Sequence, residues 1–115
     1  METINPIPVE FSEINGDNQT TYSWTRNNEI IAEVRASDEN SNFPKIEFNI
    51  REKIVPYYEE DKKSALDEIG EMSMYTDMQT RVEDEMIVGS MRCSHNASLG
   101  VGSFVQSVKG WISKI

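Results

Sequence analysis

Short segments that alternate apolar with polar residues constrain the fold of this chain more than any other feature of its sequence. The clearest is KIEFNIR (45–51), in which Ile46, Phe48 and Ile50 alternate with charged or amide side chains. Successive side chains of a β-strand point to opposite faces, so this pattern predicts a strand with one buried face.

Three similar segments precede this strand. They cover residues 7–11, 20–25 and 30–35. In the third, Ile30, Ala32 and Val34 are predicted to point to one face, and Glu33 and Arg35 to the other. The stretches NGDNQ and RNNE predict turns, because Asn and Gly tolerate the positive φ that tight turns need.

The second half of the chain predicts two helices with a pair of strands between them. Apolar residues recur at helical spacing after Pro56, at Ala65, Leu66, Ile69, Met72 and Tyr75. We therefore predict a helix over residues 58–76, with Glu59, Glu60 and Asp61 at the positive end of its dipole.

The strand pair follows, with Glu83, Asp84 and Glu85 as its turn, and Cys93 is predicted to face the core with Met91. A closing helix is predicted after an N-cap at Ser98, because its apolar residues fall at three- and four-residue steps. The order ββββ-α-ββ-α predicts an α+β fold: an antiparallel sheet of five to six strands with two helices packed on it. One domain over residues 1–115 is expected, and the packing of residues 1–20 is left open.

The charge of the chain argues against nucleic-acid binding and against anionic membranes. Eleven basic and 20 acidic residues give a net charge of −9, whereas both of those partners attract Lys and Arg. The acids are concentrated: residues 59–85 hold ten acids and three bases, a net of −7. There is no apolar run of about 20 residues, the N-terminus lacks an export pattern, and a single Cys suits a reducing compartment. We expect a soluble cytoplasmic protein.

Cys93 and His95 are the only thiol and the only imidazole, and they are two residues apart on a predicted strand. That spacing separates them by about 6.5–7 Å, too far for a base to activate a nucleophile. Structural zinc needs four ligands, and the residue after SLGVGSF (98–104) is Val105, where a dinucleotide motif needs its third glycine. We predict no catalytic residue, no metal and no cofactor. A catalytic pair among the 20 acids is left open.

Apolar residues that fall out of phase with the predicted core mark a candidate partner surface. Ile31, Met86 and Val88 would lie on the outer face of the sheet if the helices cover only the other face. Coverage of both faces within the monomer is the alternative. The acids Glu59, Glu60, Asp61, Glu83, Asp84 and Glu85 are the other candidate partner-binding residues.

The order of elements invites comparison with known families. The helix ending near Met74, the strand pair QTRVEDEMIVGSMRCS and the closing helix VGSFVQSVKGWISKI resemble the type III secretion chaperones and the related bacterial sensory-transduction-regulator proteins. The likeness covers roughly residues 29–115. It implies a small, usually dimeric α+β protein that binds other proteins and catalyses nothing. Those families open with a helix, whereas IPVEFSEI here predicts a strand.

We therefore expect a non-enzymatic, chaperone- or adaptor-like domain that binds another protein and forms a homodimer. The rival hypothesis is an acidic inhibitor, of the toxin-immunity or phage-encoded kind, that blocks a basic site with the carboxylates of residues 59–85. An enzyme is the third hypothesis. Salt separates the first two, because an interface of carboxylates with a basic site weakens steeply as ionic strength rises.

Overall fold

The computed structural model of the protein describes residues 8–114. The strands are β1 (Glu10–Gly16), β2 (Gln19–Arg26), β3 (Glu29–Ser37), β4 (Lys45–Arg51), β5 (Tyr57–Tyr58), β6 (Lys63–Ser64), β7 (Tyr75–Glu83) and β8 (Met86–Cys93). The helices are α1 (Ala65–Gly70) and α2 (Ala97–Ile112), and a 3-10 turn spans Glu52–Ile54.

Six of these strands form one antiparallel sheet in the order β1-β2-β3-β4-β8-β7. Tight hairpins connect the first three strands, and a loop of seven residues joins β3 to β4. The 3-10 turn, the two-stranded β5–β6 hairpin and α1 lie between β4 and β7 in the chain. The predicted α+β class and antiparallel sheet are confirmed.

Both helices contribute to the core on one face of the sheet. The alternating residues of β4 behave as predicted: Ile46, Phe48 and Ile50 are at most 3% exposed. Helix α2 packs on them through Phe104, whose ring centroid lies 5.3 Å from that of Phe48. The helices therefore cover one face of the sheet, and the other face is in contact with solvent. Cross-strand partners share a face, so the register assigns each side chain to one side or the other.

The third strand departs from the predicted alternation at a β-bulge. Trp24 pairs with Ala32 and Thr25 pairs with Ile30, so Ile31 is an extra residue with no partner of its own. A bulge shifts the phase of the side chains that follow it. Ile31 is 3% exposed and Ile30 is 42% exposed, so the predicted outward position of Ile31 and the predicted inward position of Ile30 are both wrong.

The helix predicted over residues 58–76 is wrong over most of its length. Its first residues form the β5–β6 hairpin, in which Lys62 has a φ of 52°. The helix begins only at Ala65, because Ser64 accepts a hydrogen bond from the Asp67 N–H and Asp67 accepts one from the Ser64 N–H. It ends at Gly70, and Tyr75 is the first residue of β7 rather than part of the helix.

Two smaller corrections concern the residues at which the closing helix and the first strand begin. The closing helix is capped by Asn96, whose side chain accepts from the Leu99 N–H at 3.1 Å, and not by Ser98. The first strand begins at Glu10, and Ile7, which was predicted to belong to it, lies outside the described residues. Within residues 8–114, no helix is long and apolar enough to span a bilayer.

Candidate protein-binding surface

The lone thiol lies in the core and is inaccessible to a substrate. Cys93 is 0% exposed, and burial raises the pKa of its thiol to about 11. Gly100 of α2 packs directly on it, since a Cβ at that position would lie 2.6 Å from the Cys93 Sγ. His95 is exposed in the loop that follows β8. Among the described residues 8–114, no three His, Cys, Asp or Glu side chains are grouped so as to hold a metal ion.

The predicted acidic residues lie in two exposed turns. Glu59, Glu60 and Asp61 are in the turn of the β5–β6 hairpin. Glu83 ends β7, and Asp84 and Glu85 form the turn to β8 with φ values of 50° and 65°. Left-handed backbone at two successive residues matches the type I′ turn that suits a two-residue hairpin loop.

The turn of Asp84 and Glu85 is hydrogen-bonded to the 3-10 turn, which precedes the β5–β6 hairpin in the chain. The Glu52 N–H donates to the Glu85 carbonyl oxygen at 3.0 Å. The β5–β6 hairpin starts at Tyr57, five residues later, and five residues span at most about 17 Å. The hydrogen bond therefore fixes the turn of Asp84 and Glu85 against the start of the 3-10 turn, and the acidic residues of both turns are exposed.

Met86 and Val88 do lie on the face of the sheet that the helices leave uncovered. Val88 pairs with Asn49 and Arg81, and Met86 pairs with Arg51 and Glu83. Both side chains are half-buried among these polar neighbours. Because Ile31 is buried, the three residues do not form the apolar patch that the sequence predicted.

The edge strand β1 offers a surface that the sequence patterns did not identify. All seven of its residues are exposed, and they include the apolar side chains Phe11, at 43%, and Ile14, at 65%. Phe11 pairs with Trp24 and its ring lies 5.2 Å from the indole, so it belongs to the helix side of the sheet. Ile14 pairs with Thr21 on the open side. A partner along this edge would thus meet an apolar side chain on each face.

The outward backbone groups of β1 follow from its hairpin with β2. Gly16 and Gln19 close the hairpin around a two-residue loop, which makes them a hydrogen-bonded pair. Pairs alternate along an antiparallel ladder, so Phe11, Glu13 and Asn15 direct their N–H and C=O groups away from β2. The register shows no irregularity between Glu10 and Gly16. This is a regular edge of unpaired donors and acceptors of the kind to which another strand can be added.

The opposite edge strand is less suited to pairing. The register of β7 against β8 shifts between Thr76 and Gln79, and Asp77 has a φ of 56°. A bulge interrupts the row of outward backbone groups and twists the strand, which is a common protection of sheet edges. Of the two edges, β1 is the one that remains straight and regular.

The surroundings of β1 are acidic. Glu10 and Glu13 lie on the strand, and Asp17 lies in the turn that follows it. The phenol of Tyr22, which pairs with Glu13, has a pKa raised by burial and by the charges of Glu13 and Glu39. A cation is present on the helix side, where Lys109 Nζ lies 5.1 Å from the centroid of the Phe11 ring. The strand would favour a partner that brings positive charge.

Sequence reasoning could have found part of this edge. EFSEING has only two large apolar side chains, Phe11 and Ile14, and their spacing puts them on opposite faces. It therefore lacks the apolar alternation of a half-buried strand, which suits an edge. The sequence of β1 does not show that β2 is its only neighbour, because this depends on the order of all the strands in the sheet. Comparison with known proteins found no matching protein family, no matching curated protein and no matching solved structure.

Proposed function

We propose that this chain is a protein-binding domain, adaptor- or chaperone-like, that receives an extended basic segment of another protein along β1 and catalyses no reaction. The observation that carries the proposal is the regular edge from Glu10 to Gly16, in which every residue is exposed. Main-chain hydrogen bonds from Phe11, Glu13 and Asn15 would supply affinity, and the side chains beside them would supply selectivity.

The acidic edge selects the chemistry of the added strand. Lys or Arg in the partner would lie opposite or diagonal to Glu10 and Glu13, where oppositely charged cross-strand pairs stabilise a sheet. One apolar residue on each face of the added strand would cover Phe11 on the helix side and Ile14 on the open side. The buried, weakly acidic thiol of Cys93 supports a role that needs no nucleophile.

The homodimer that the sequence predicts would compete for the same edge. Suppose that two copies of β1 pair about a two-fold axis normal to the sheet. Paired residues must then lie on the same face, so one residue of β1 pairs with its own copy, and the axis lies between the two. An axis at Glu13 opposes two carboxylates, which is unfavourable. An axis at Ser12 pairs Glu10 with Ile14 of the second copy and leaves the acids without a cation. Neither of these two registers gives the acids of β1 a cation, whereas a basic partner strand would.

A proline substitution tests the proposal without breaking the sheet. Glu13→Pro removes an outward N–H that β2 does not use, whereas Glu13→Ala keeps that N–H; both lack the carboxylate. A partner bound by strand addition, captured from a lysate of the source organism and identified by mass spectrometry, is retained by Glu13→Ala and lost by Glu13→Pro. In the purified complex, hydrogen exchange slows at the amides of Phe11 and Asn15.

Two controls keep the result interpretable. Thermal unfolding verifies that both Glu13 variants are folded, and sedimentation of the chain alone measures self-association through the same edge. A partner that binds the folded Glu13→Pro variant as tightly as the Glu13→Ala variant would show that β1 is not the binding edge.

The acidic-inhibitor hypothesis has its own supporting observation, the exposed carboxylates of the two acidic turns. Replacing Glu83, Asp84 and Glu85 by Gln, Asn and Asn tests it, since Asn tolerates the positive φ of the turn. An inhibitor acting through these carboxylates loses its partner in this triple variant and keeps it in Glu13→Pro. Strand addition predicts the reverse.

A further inference from the structure

A cationic pocket lies where the β2–β3 hairpin meets the 3-10 turn. It has a volume of about 200 Å³ and is lined by Arg26, Glu29, Ile31, Arg51, Lys53 and Ile54. Three cations and one acid give its lining a charge of +2, although the whole chain carries −9. The two residues that provide an apolar floor, Ile31 and Ile54, are 3% and 7% exposed.

One of the three cations is already paired. Arg51 Nη2 donates to Glu29 Oε2 at 2.8 Å, and the Arg51 side chain is 34% exposed while that of Glu29 is 70% exposed. This pair holds the Arg51 guanidinium at the wall of the pocket, because β3 and β4 carry its two members on adjacent strands. The ion pair neutralises one positive charge and leaves those of Arg26 and Lys53.

Arg26 provides the second, independent observation. Its Nε is buried and has no hydrogen-bond partner within residues 8–114. A buried donor on a charged group that lacks an acceptor is destabilising. The Nε–H reaches an anion in the pocket only when the Arg26 side chain turns towards it. The anion would then supply the missing acceptor and bring negative charge between Arg26 and Lys53.

From this geometry we propose that the pocket binds a phosphate dianion, either free or as the monoester of a small molecule. Two uncompensated positive charges match the charge of about −1.5 to −2 on a phosphate group better than the single charge of a carboxylate. Guanidinium groups donate in a planar fork that suits phosphate oxygens, and Lys53 adds a point charge.

Size and surroundings narrow the ligand further. The volume of about 200 Å³ is below the roughly 300–1,000 Å³ of sites for drug-sized ligands, so the pocket suits the phosphate and only a small organic body on Ile31 and Ile54. Glu52 stands between Arg51 and Lys53 in the chain but does not line the pocket. Its charge would weaken binding of more highly charged anions such as polyphosphates.

The test uses the full chain with sodium phosphate and phenyl phosphate as probes, and with sodium chloride and sodium acetate at matched ionic strength as controls. Thermal unfolding and calorimetric titration measure binding, and NMR of the arginine Nε–H groups locates it. Phosphate is expected to raise the melting temperature above that in chloride or acetate, and to shift the Arg26 Nε–H resonance. Phenyl phosphate is expected to bind more tightly than inorganic phosphate, because the ring covers the apolar floor.

Substitutions decide whether this pocket is responsible. Lys53→Gln and Arg26→Gln are each expected to weaken phosphate binding about tenfold or more, since each removes a charge-assisted hydrogen bond. Arg26→Lys keeps the charge but lacks the Nε–H, so its loss should approach that of Arg26→Gln. Lys63→Gln removes a lysine whose Nζ is paired with Glu71 elsewhere, at 2.7 Å, and should leave phosphate binding unchanged.

Three results would overturn the proposal. One is a phosphate effect no larger than that of chloride at equal ionic strength. Another is phosphate binding that survives both Lys53→Gln and Arg26→Gln in folded variants. The third is that a phosphoserine tripeptide binds while phosphate and phenyl phosphate do not. The pocket would then bind a phosphorylated protein instead of a small molecule.

Discussion

Replacement of Gly89 by alanine should destabilise the protein, and the reason is visible at the centre of the sheet. Gly89 lies on β8 between β4 and β7, opposite Phe48 on one side and Thr80 on the other. A Cβ at Gly89 would lie 2.6 Å from Phe48 Cζ and 2.6 Å from the Gln79 carbonyl oxygen. Favourable contacts between carbon atoms occur at about 3.5–4.0 Å, so these neighbours would have to move by about 1 Å.

Neither neighbour can move freely. The Phe48 ring is 3% exposed and packs on Phe104, and the Gln79 oxygen belongs to the backbone of an adjacent strand. Overpacking of this kind costs about 1–3 kcal/mol, and two fixed neighbours place the cost near 3. Alanine loses less chain entropy on folding than glycine, which offsets about 0.5–1 kcal/mol. We expect a net loss of about 2 kcal/mol.

The matched control is the same substitution at Gly102, in the middle of α2, where an added Cβ meets no atom within 4 Å. Alanine is preferred over glycine in a helix by about 1 kcal/mol, so Gly102→Ala should stabilise the protein. Urea denaturation at constant m-value measures both changes, and thermal unfolding should show the melting temperature falling by about 8 °C for Gly89→Ala.

The contact with Phe48 can be tested separately. Phe48→Leu shortens the side chain that the new methyl group meets, so the double variant should lose less stability than the sum of the two single variants. If Gly89→Ala is as stable as the unsubstituted protein while Gly102→Ala gains stability as expected, the close packing of β8 on Phe48 is refuted.

Three further predictions concern local interactions. Asn96→Ala removes the cap that accepts from Leu99 N–H and should cost about 1 kcal/mol in urea denaturation, with Asn96→Ser close to neutral. Tyr75→Phe removes the buried hydrogen bond to the Gly100 carbonyl at 2.7 Å and should cost about 1 kcal/mol, with near-ultraviolet circular dichroism verifying the fold. The pKa of Cys93 is raised by burial to about 11, so the folded state keeps the proton that the unfolded thiol loses near its ordinary pKa of 9.0. The free energy of unfolding should therefore fall as pH rises from about 9 towards 11, and Cys93→Ala should flatten the part of this decline below pH 10; equal slopes with and without the thiol would contradict its burial.

The strands that the sequence predicted correctly are those whose side chains meet a helix. β4 alternates because Ile46, Phe48 and Ile50 pack beneath α2, and the phase of β8 is right at Met91 and Cys93 for the same reason. Burial of one face of a strand makes apolar and polar residues alternate in its sequence. The strand can therefore be predicted wherever that face is buried along its whole length.

The errors arise where local chemistry or chain pairing overrides periodicity. Residues 58–76 contain apolar residues at helical spacing, but the capping pair of Ser64 and Asp67 starts the helix late. At Ile31 one extra residue in β3 reverses which face of the sheet the side chains occupy. The pattern of β3 alone does not predict this bulge, because a bulge arises from the pairing of β3 with β2. The candidate surface at β1 likewise depends on which strands become neighbours, a property of the whole sheet.

If β1 receives a partner strand as proposed, the charge at Glu13 would decide which strands it accepts. Glu13 lies on the helix side of the sheet, opposite Tyr22, yet it is exposed because no strand lies beyond it. A carboxylate on the inner face of an edge strand would be desolvated by any strand added there, so neutral or acidic strands are disfavoured. A basic strand compensates that cost with a cross-strand ion pair. In the proposed complex, the side chain that disfavours indiscriminate edge pairing would therefore also be the one with which the partner has to form an ion pair.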